Sequence, residues 1–350
     1  MNLTLVDLFQ HHFNYPVSSE KTNRGSVVAW RDIPLPSASF HKVPTPNFLS
    51  NSLNSLQMAF GRPTGMKNLL RDHPNICIPV HPPKRCVALS SVVQWHKLGL
   101  QSAFDWPRRR QGSLIGWKKE GGRYASFEVY LPEFELIGSM SINKDWSCDI
   151  TELDGFSASK SNLWDFIDTD LMVETNSPEM IDEVTYEQLK NNLDHREIRI
   201  IHNRESSDHF IRHTWDNRLF LANSGGSHHL AAAKYIAKRL HEPVRLSGEI
   251  HTYSLNNRAI ASLRDKFYIL AISDETETSL KFHDVMQSFG ATWLSCALPA
   301  PYSDTTISIL LPKSEKRSVQ VAALLRDAGA FDLGDYLFQL STISHLHDQH

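Results

Sequence analysis

Cysteine is scarce in this sequence. Cys77, Cys86, Cys148 and Cys296 are spread over 350 residues, and no two form a C-x-x-C pair. That count excludes a disulfide framework and fits a reducing compartment. Long apolar runs are missing too, since nothing approaches the roughly 18 consecutive apolar residues of a membrane span. The opening MNLTLVDLFQHHFNYP has no basic start, apolar core or small-residue cleavage site, so a secretory leader is not expected and a cytoplasmic location is. Positive charge is in no excess either. Lys and Arg number 36 against 39 Asp and Glu, a formal net charge of −3. Net charge therefore lends no support to a nucleic-acid partner. The run Arg108, Arg109, Arg110, followed by Lys118 and Lys119, reads as a solvated loop. No internal repeat is visible.

What is present is enough for a packed core: 41% of residues are hydrophobic and 21% charged. Length alone favours about two domains. Residues 1–112 form an irregular region punctuated by Pro and Ser, where long regular elements cannot run. Residues 113–160 are β-rich, with strands expected near 113–119, 123–131 and 134–142 and a hairpin at Gly121-Gly122. Residues 161–260 form the core. A helix is expected over the segment EMIDEVTYEQLKNNL, a strand at REIRIIHNR, and two strands joined at Asp216-Asn217. Residues 261–350 alternate helix and strand in a small α/β unit. The fold class is α/β in the mixed α+β sense.

One segment stands out for chemistry, WDNRLFLANSGGSHHLAAAKYIAKRL at residues 215–240. A strand runs into glycines, and an amphipathic helix follows with apolar Leu230, Ala233, Ala237 and Leu240 on one face. Ser227 is the expected N-cap, with His228 and His229 in the first turn. The first turn of a helix carries unpaired amide hydrogens and a partial positive charge. With Gly225 and Gly226 ahead of it, this tip is a cradle for an anion. A cationic imidazole is disfavoured there, so the histidines should be neutral and able to donate to phosphate or shuttle a proton. The alternative is a plain helix cap with two surface histidines.

The stretch NSGGSHHLAAAKYIA resembles the signature of the ParB/sulfiredoxin-like superfamily. Sulfiredoxins carry Gly-Gly-Cys-His-Arg at this point, and ParB-type proteins a Gly-Glu-Arg-Arg or Gly-His-Arg-like run before an alanine-rich helix. By position, Gly225 and Gly226 match the glycines, Ser227 the sulfiredoxin cysteine and His228 the histidine. His229 stands where arginine is usual. The resemblance implies a ParB/sulfiredoxin-like core over residues 161–260, holding nucleotide phosphates at the helix tip. Serine in place of cysteine argues against thiol-based sulfinic acid repair. The missing arginine removes a bidentate phosphate partner.

Three rivals compete. His209 and His213 are four apart and would suit zinc on a helix, but their surroundings alternate like a strand, so no metal ligand set is assigned. A Ser227–His228 relay lacks the G-x-S-x-G elbow, and adjacent helical residues point about 100° apart. The acidic stretch with Asp165, Asp168 and Asp170 could bind a divalent ion that accompanies a nucleotide, as could ISDETETS, but such runs more often are a helix start or an exposed loop.

The expectation is therefore a protein that binds a nucleotide or another phosphorylated small molecule, with ATP or a similar nucleotide plus Mg²⁺ as the implied cofactor, and with phosphoryl-transfer or nucleotide-hydrolysing chemistry as an extension. Ligand contacts are assigned to Asn223, Ser224, Gly225, Gly226, Ser227 and Arg218, and catalytic roles to His228, His229 and Asp216. The alternative is a non-enzymatic regulatory protein on the same fold. An enzyme should gather the two histidines with a carboxylate in a concave site, whereas a scaffold leaves them on open surface.

Overall fold

The computed structural model describes residues 63–100, 109–203 and 205–347. Most of the Pro/Ser-rich region, and Arg108 of the basic run, lie outside these residues. Within them the chain is a mixed α+β fold built on two sheets. No helix of the described residues is long and apolar enough to cross a membrane.

The hairpin expected at Gly121-Gly122 joins β1 (Ser113–Glu120) to β2 (Arg123–Tyr130), and both glycines take positive φ, 57° and 84°. Residues without a Cβ adopt that conformation at no steric cost. β1 also pairs with β9 (Trp293–Ala297), so the hairpin completes an antiparallel sheet supplied mainly by the C-terminal third. Its other strands are β8 (Phe267–Ser273), β10 (Thr306–Pro312) and the short β11 (Phe331–Asp332), in the order β11-β8-β10-β9-β1-β2. Its helices are α1 (Thr64–Asp72), α6 (Asn257–Lys266), α7 (Thr276–Phe289), α8 (Lys316–Asp327) and α9 (Leu333–His347). Leu131-Pro132 ends β2 in a 3₁₀ turn, and the chain then crosses to the second sheet as β3 (Gly138–Asp149). The stretch 113–160 is thus divided between the two sheets.

That second sheet runs β3-β7-β5-β6-β4, with β4 (Leu153–Phe156), β5 (His209–His213), β6 (Leu219–Ala222) and β7 (Arg245–Leu255). β4 and β6 are parallel neighbours, while β5 and β6 form the antiparallel pair expected across Asp216-Asn217. The long helix α5 (Ser227–Leu240) packs over this sheet, between α2 (Thr169–Asn176) and α3 (Tyr186–Leu193). Ala231, Ala232, Ala233, Ile236 and Ala237 of α5 are fully buried. Their small side chains let the helix axis approach closely, and Leu230 and Ile236 each add about 2 kcal/mol on burial.

Two local expectations are corrected. REIRIIHNR is no strand: Arg199–His202 forms one turn of helix, α4. Alternation lost to packing there. Ile198 is buried, and Ile200 fills the space beside Gly248, where an added Cβ would stand 2.7 Å from its Cδ1. In the segment 179–193 only Tyr186–Leu193 is α-helical, because Thr185 caps it by accepting from the Gln188 amide and Pro178 opens a separate 3₁₀ turn. The acidic residues behave as helix and ion-pair partners: Asp168 caps α2, and Asp170 pairs with Lys238 and Arg239. His209 and His213 lie on β5, where four residues span about 13 Å, too far to share one ion.

His213 is 2% exposed at the end of β5, with Tyr253 stacked 5.2 Å away and His96 stacked on the same tyrosine at 4.5 Å. The Nδ1 atoms of both histidines are buried without a hydrogen-bond partner among the described residues. Burial, with repulsion from His96, pulls His213 from 6.5 down to about 3, and burial pulls His96 down to about 4. Below pH 6.5 the unfolded chain takes up protons that the folded histidines refuse, so stability falls with pH through that window. Each group is expected to cost about 2 kcal/mol between pH 7 and pH 5. Urea unfolding should show it, and His213→Phe should remove roughly half of that acid loss.

Candidate functional site

β4 and β6 end at the same edge of their sheet, and the chain leaving each strand helps form one cavity. Asn223, directly after β6, ties the two exits together. Its Oδ1 accepts from the amides of Ser157 and Ala158 at 3.2 and 3.1 Å, and its Nδ2 donates to the Ala158 and Gly225 carbonyls at 2.9 and 3.0 Å. The Ser157 hydroxyl returns a bond to the Asn223 carbonyl at 3.1 Å. Asn223 is 5% exposed and its carboxamide is fully engaged. It is therefore a structural staple and does not face a ligand, which corrects the sequence expectation.

Ser224 donates its amide and hydroxyl hydrogens to Asp208 Oδ1 at 3.0 and 2.6 Å and accepts from Arg199 Nη1 at 2.8 Å. Gly226 caps α5 in the left-handed conformation, φ 72°. A Cβ there would meet the Glu197 carbonyl oxygen at 2.7 Å, so this glycine answers a close approach by the protein's own chain. Ser227 is thus the first helical residue and not the cap. Its hydroxyl donates to Ser159 Oγ at 3.0 Å instead of bridging to the first-turn amides. Among the described residues no side chain caps the helix.

The two histidines are half-buried and held differently. His228 has Ser161 Oγ 3.0 Å from Nε2 and Ser177 Oγ 2.5 Å from Nδ1. His229 has Nδ1 3.2 Å from Asn192 Oδ1, and its ring stacks on His195 with centroids 3.6 Å apart. Burial lowers both pKa values; Lys160 adds to the effect at His228 and His195 at His229. Both imidazoles are therefore neutral near pH 7.

The cavity holds about 870 Å³. Ser224 to His229 line it from one side, Ala158 to Ser161 from another, and Asn176, Ser177 and Met180 close a third. His195, Glu197 and Arg199 complete it. Its fixed charges are Lys160 and Arg199 against one carboxylate, Glu197. Asp216 and Arg218 are not part of it. They lie at the opposite end of β6, where Arg218 donates to Asp216 and to the Cys86 carbonyl. Both expectations for these residues are corrected: the pair braces the chain at residues 86–91, with Ser91 Oγ as a further acceptor.

The expected Ser224 to His229 cluster is thus brought together, and residues that spacing did not reveal join it, among them Lys160, Ser161, Asn176, Ser177, His195, Glu197 and Arg199. The one legible signal was the Ser/Lys-rich run SASKS directly after a strand. Nothing in the sequence connects that run to a histidine 67 residues on.

A family model described as "Family of unknown function (DUF6685)" matches residues 143–350, which include every residue lining the cavity. No curated protein matches the chain, and no solved structure does.

The staple gives a direct test. Asn223→Ala would remove the side-chain partner of the part-buried amides and carbonyls at the two strand exits, and should cost roughly 2 kcal/mol of stability. Calorimetric unfolding checks this. A stability loss within 0.5 kcal/mol, or about that, would contradict the structural role.

Proposed function

The chain belongs to a family to which no activity is attached, and from the cavity itself we propose that it binds a phosphate-bearing small molecule, a nucleotide or related phosphate ester, at the amino end of α5. The observation that carries this reading is an uncapped 14-residue helix opening onto a cavity that Lys160 and Arg199 also line. Amide hydrogens and the helix dipole favour an anion at such a tip. Arg199 supports the reading further. The motif lacks the arginine usual in ParB/sulfiredoxin-like proteins, and a guanidinium from another element reaches the same loop, bonded to Ser224. Arginine matches phosphate geometry with paired donors.

Size agrees with this class of ligand. A volume of about 870 Å³ falls within the range of small-molecule sites, and it would admit a base and ribose as well as phosphates. Chemistry favours an enzyme over a regulatory scaffold. Neutral His228 and His229 share one concavity with the Glu197 carboxylate, which is the grouping an acid–base site needs. ATP or a similar nucleotide with Mg²⁺ is the ligand we would try first.

Isothermal titration with ATP, AMP, inorganic phosphate and adenosine, each with and without Mg²⁺, tests the reading. Phosphorylated compounds should bind and adenosine should not. Arg199→Ala should weaken binding about tenfold or more, through loss of a charge-assisted contact. Absence of heat with every compound, or equal affinity for adenosine, would overturn it.

A further inference from the structure

We infer that Ser161 is a nucleophile, activated by His228, that accepts a phosphoryl group from a phosphate ester held in this cavity. The substrate rests on the phosphate-binding reading; the nucleophile stands on separate geometry.

Ser161, His228 and Ser177 form a continuous line of hydrogen bonds. Ser161 Oγ is 3.0 Å from Nε2 of the ring and Ser177 Oγ is 2.5 Å from Nδ1. Asn176 fixes the direction of the protons. Its Nδ2 donates to Ser161 Oγ over 2.7 Å, which leaves the Ser161 hydroxyl hydrogen to point at Nε2. Nδ1 then carries the ring proton and donates to Ser177. The result is a nucleophile, a base within hydrogen-bond reach and a third group that orients the base. Ser177 is suited to orienting, being 2% exposed and fixed as the C-cap of α2 through its amide bond to the Val173 carbonyl. Ser161 is suited to attack, because it lines the cavity.

This arrangement also explains why the adjacent Ser227 is not the nucleophile. Its hydroxyl turns away to Ser159, as expected for neighbours about 100° apart on a helix. The Asn176 donor stabilises negative charge on Ser161 Oγ as its proton leaves. The α5 tip, Lys160 and Arg199 supply positive charge to the phosphoryl oxygens.

The chemistry balances without an oxidant or reductant. Ser161 Oγ–H gives its proton to His228 Nε2 as the Oγ–P bond forms and the P–O bond to the leaving alcohol breaks. The imidazolium returns that proton to the departing oxygen. Water then gives a proton to Nε2, its oxygen attacks phosphorus, and the Oγ–P bond breaks. The proton goes back to Ser161, leaving alcohol and phosphate from ester and water.

A fluorophosphonate reads the nucleophile on the full chain without any nucleotide, since serine attack forms Oγ–P and expels fluoride. Peptide mass mapping should find the adduct on Ser161. Ser161→Ala should abolish it, and His228→Gln should slow it by at least ~100-fold. Ser161→Cys keeps the size and a nucleophile, and should transfer labelling to iodoacetamide, which separates lost chemistry from lost fold. Ser177→Ala removes a positioning residue; it should slow labelling about tenfold and move its pH midpoint down, because the imidazolium loses an acceptor. p-Nitrophenyl phosphate should release p-nitrophenolate and phosphate, with phosphoserine at 161 trapped by acid quenching during turnover. Labelling spread over other serines, or unaffected by His228→Gln, would overturn the nucleophile and leave any measured nucleotide binding standing. An adduct at Ser161 with turnover of p-nitrophenyl acetate but not of the phosphate ester would overturn the phosphoryl step.

Discussion

One buried carboxamide sets the geometry of the cavity. Asn223 fills all of its hydrogen-bonding positions with backbone groups of residues 157, 158 and 225. Two strands that are parallel and adjacent need not send their connecting loops in related directions. Asn223 imposes that relation, so the chain leaving β4 and the chain leaving β6 become two walls of one space. Because the bonds run to main chain, the staple does not depend on which side chains occupy the loops. It leaves Ser159, Lys160 and Ser161 free to vary in chemistry while their position stays fixed.

The helix behind the staple makes a matching demand. α5 buries a run of alanines, Ala231 to Ala233 and Ala237, whose small side chains permit a close approach to the sheet. A helix seated that closely cannot shift along its axis without opening voids, and voids in a packed interior are costly. Its first turn is therefore held in place by its middle. The tip goes uncapped by side chains because it faces a cavity, where water or a ligand can take the amide hydrogens. Packing energy from Leu230 to Ala237 thus positions His228 and His229, and the staple brings Ser161 to meet them.

This division explains what could be read from the sequence. The glycines, the helix and its buried face were legible, because φ preferences and a 3.6-residue period are local properties. The β1–β2 turn and most elements after Arg245 were legible for the same reason. Short elements failed where tertiary contact overruled pattern: Ile198 and Ile200 alternate as in a strand, yet Ile198 enters the core just before a single helical turn that sets Ile200 against Gly248. Asp216 and Arg218 were misjudged because a strand's two ends cannot be told apart chemically without its neighbours. The deepest miss was Ser161, Ser177, His195 and Arg199. Each reaches the cavity through tertiary packing: β4 beside β6 for Ser161, α2 against α5 for Ser177, and the approach of residues 195–199 to residues 224–229 for His195 and Arg199; none of these has a local signature.

The distribution of charge in the cavity follows the same logic. Its basic side chains, Lys160 and Arg199, are exposed. Its potential bases are half-buried imidazoles that desolvation keeps neutral. A protonated histidine would add attraction for an anion but would have no lone pair to receive a proton. The surroundings also decide which nitrogen keeps that lone pair. Asn192 donates from Nδ2 to the Met180 and Gln188 carbonyls, so its Oδ1 must be the atom facing His229, and His229 Nδ1 must be a donor. The lone pair of His229 then resides on Nε2, as Asn176 arranges by another route for His228. Binding and proton transfer are thereby given to different residues. In the proposed reading the two cationic side chains would hold the anion and the imidazoles kept neutral by burial would handle protons, so neither task would weaken the other.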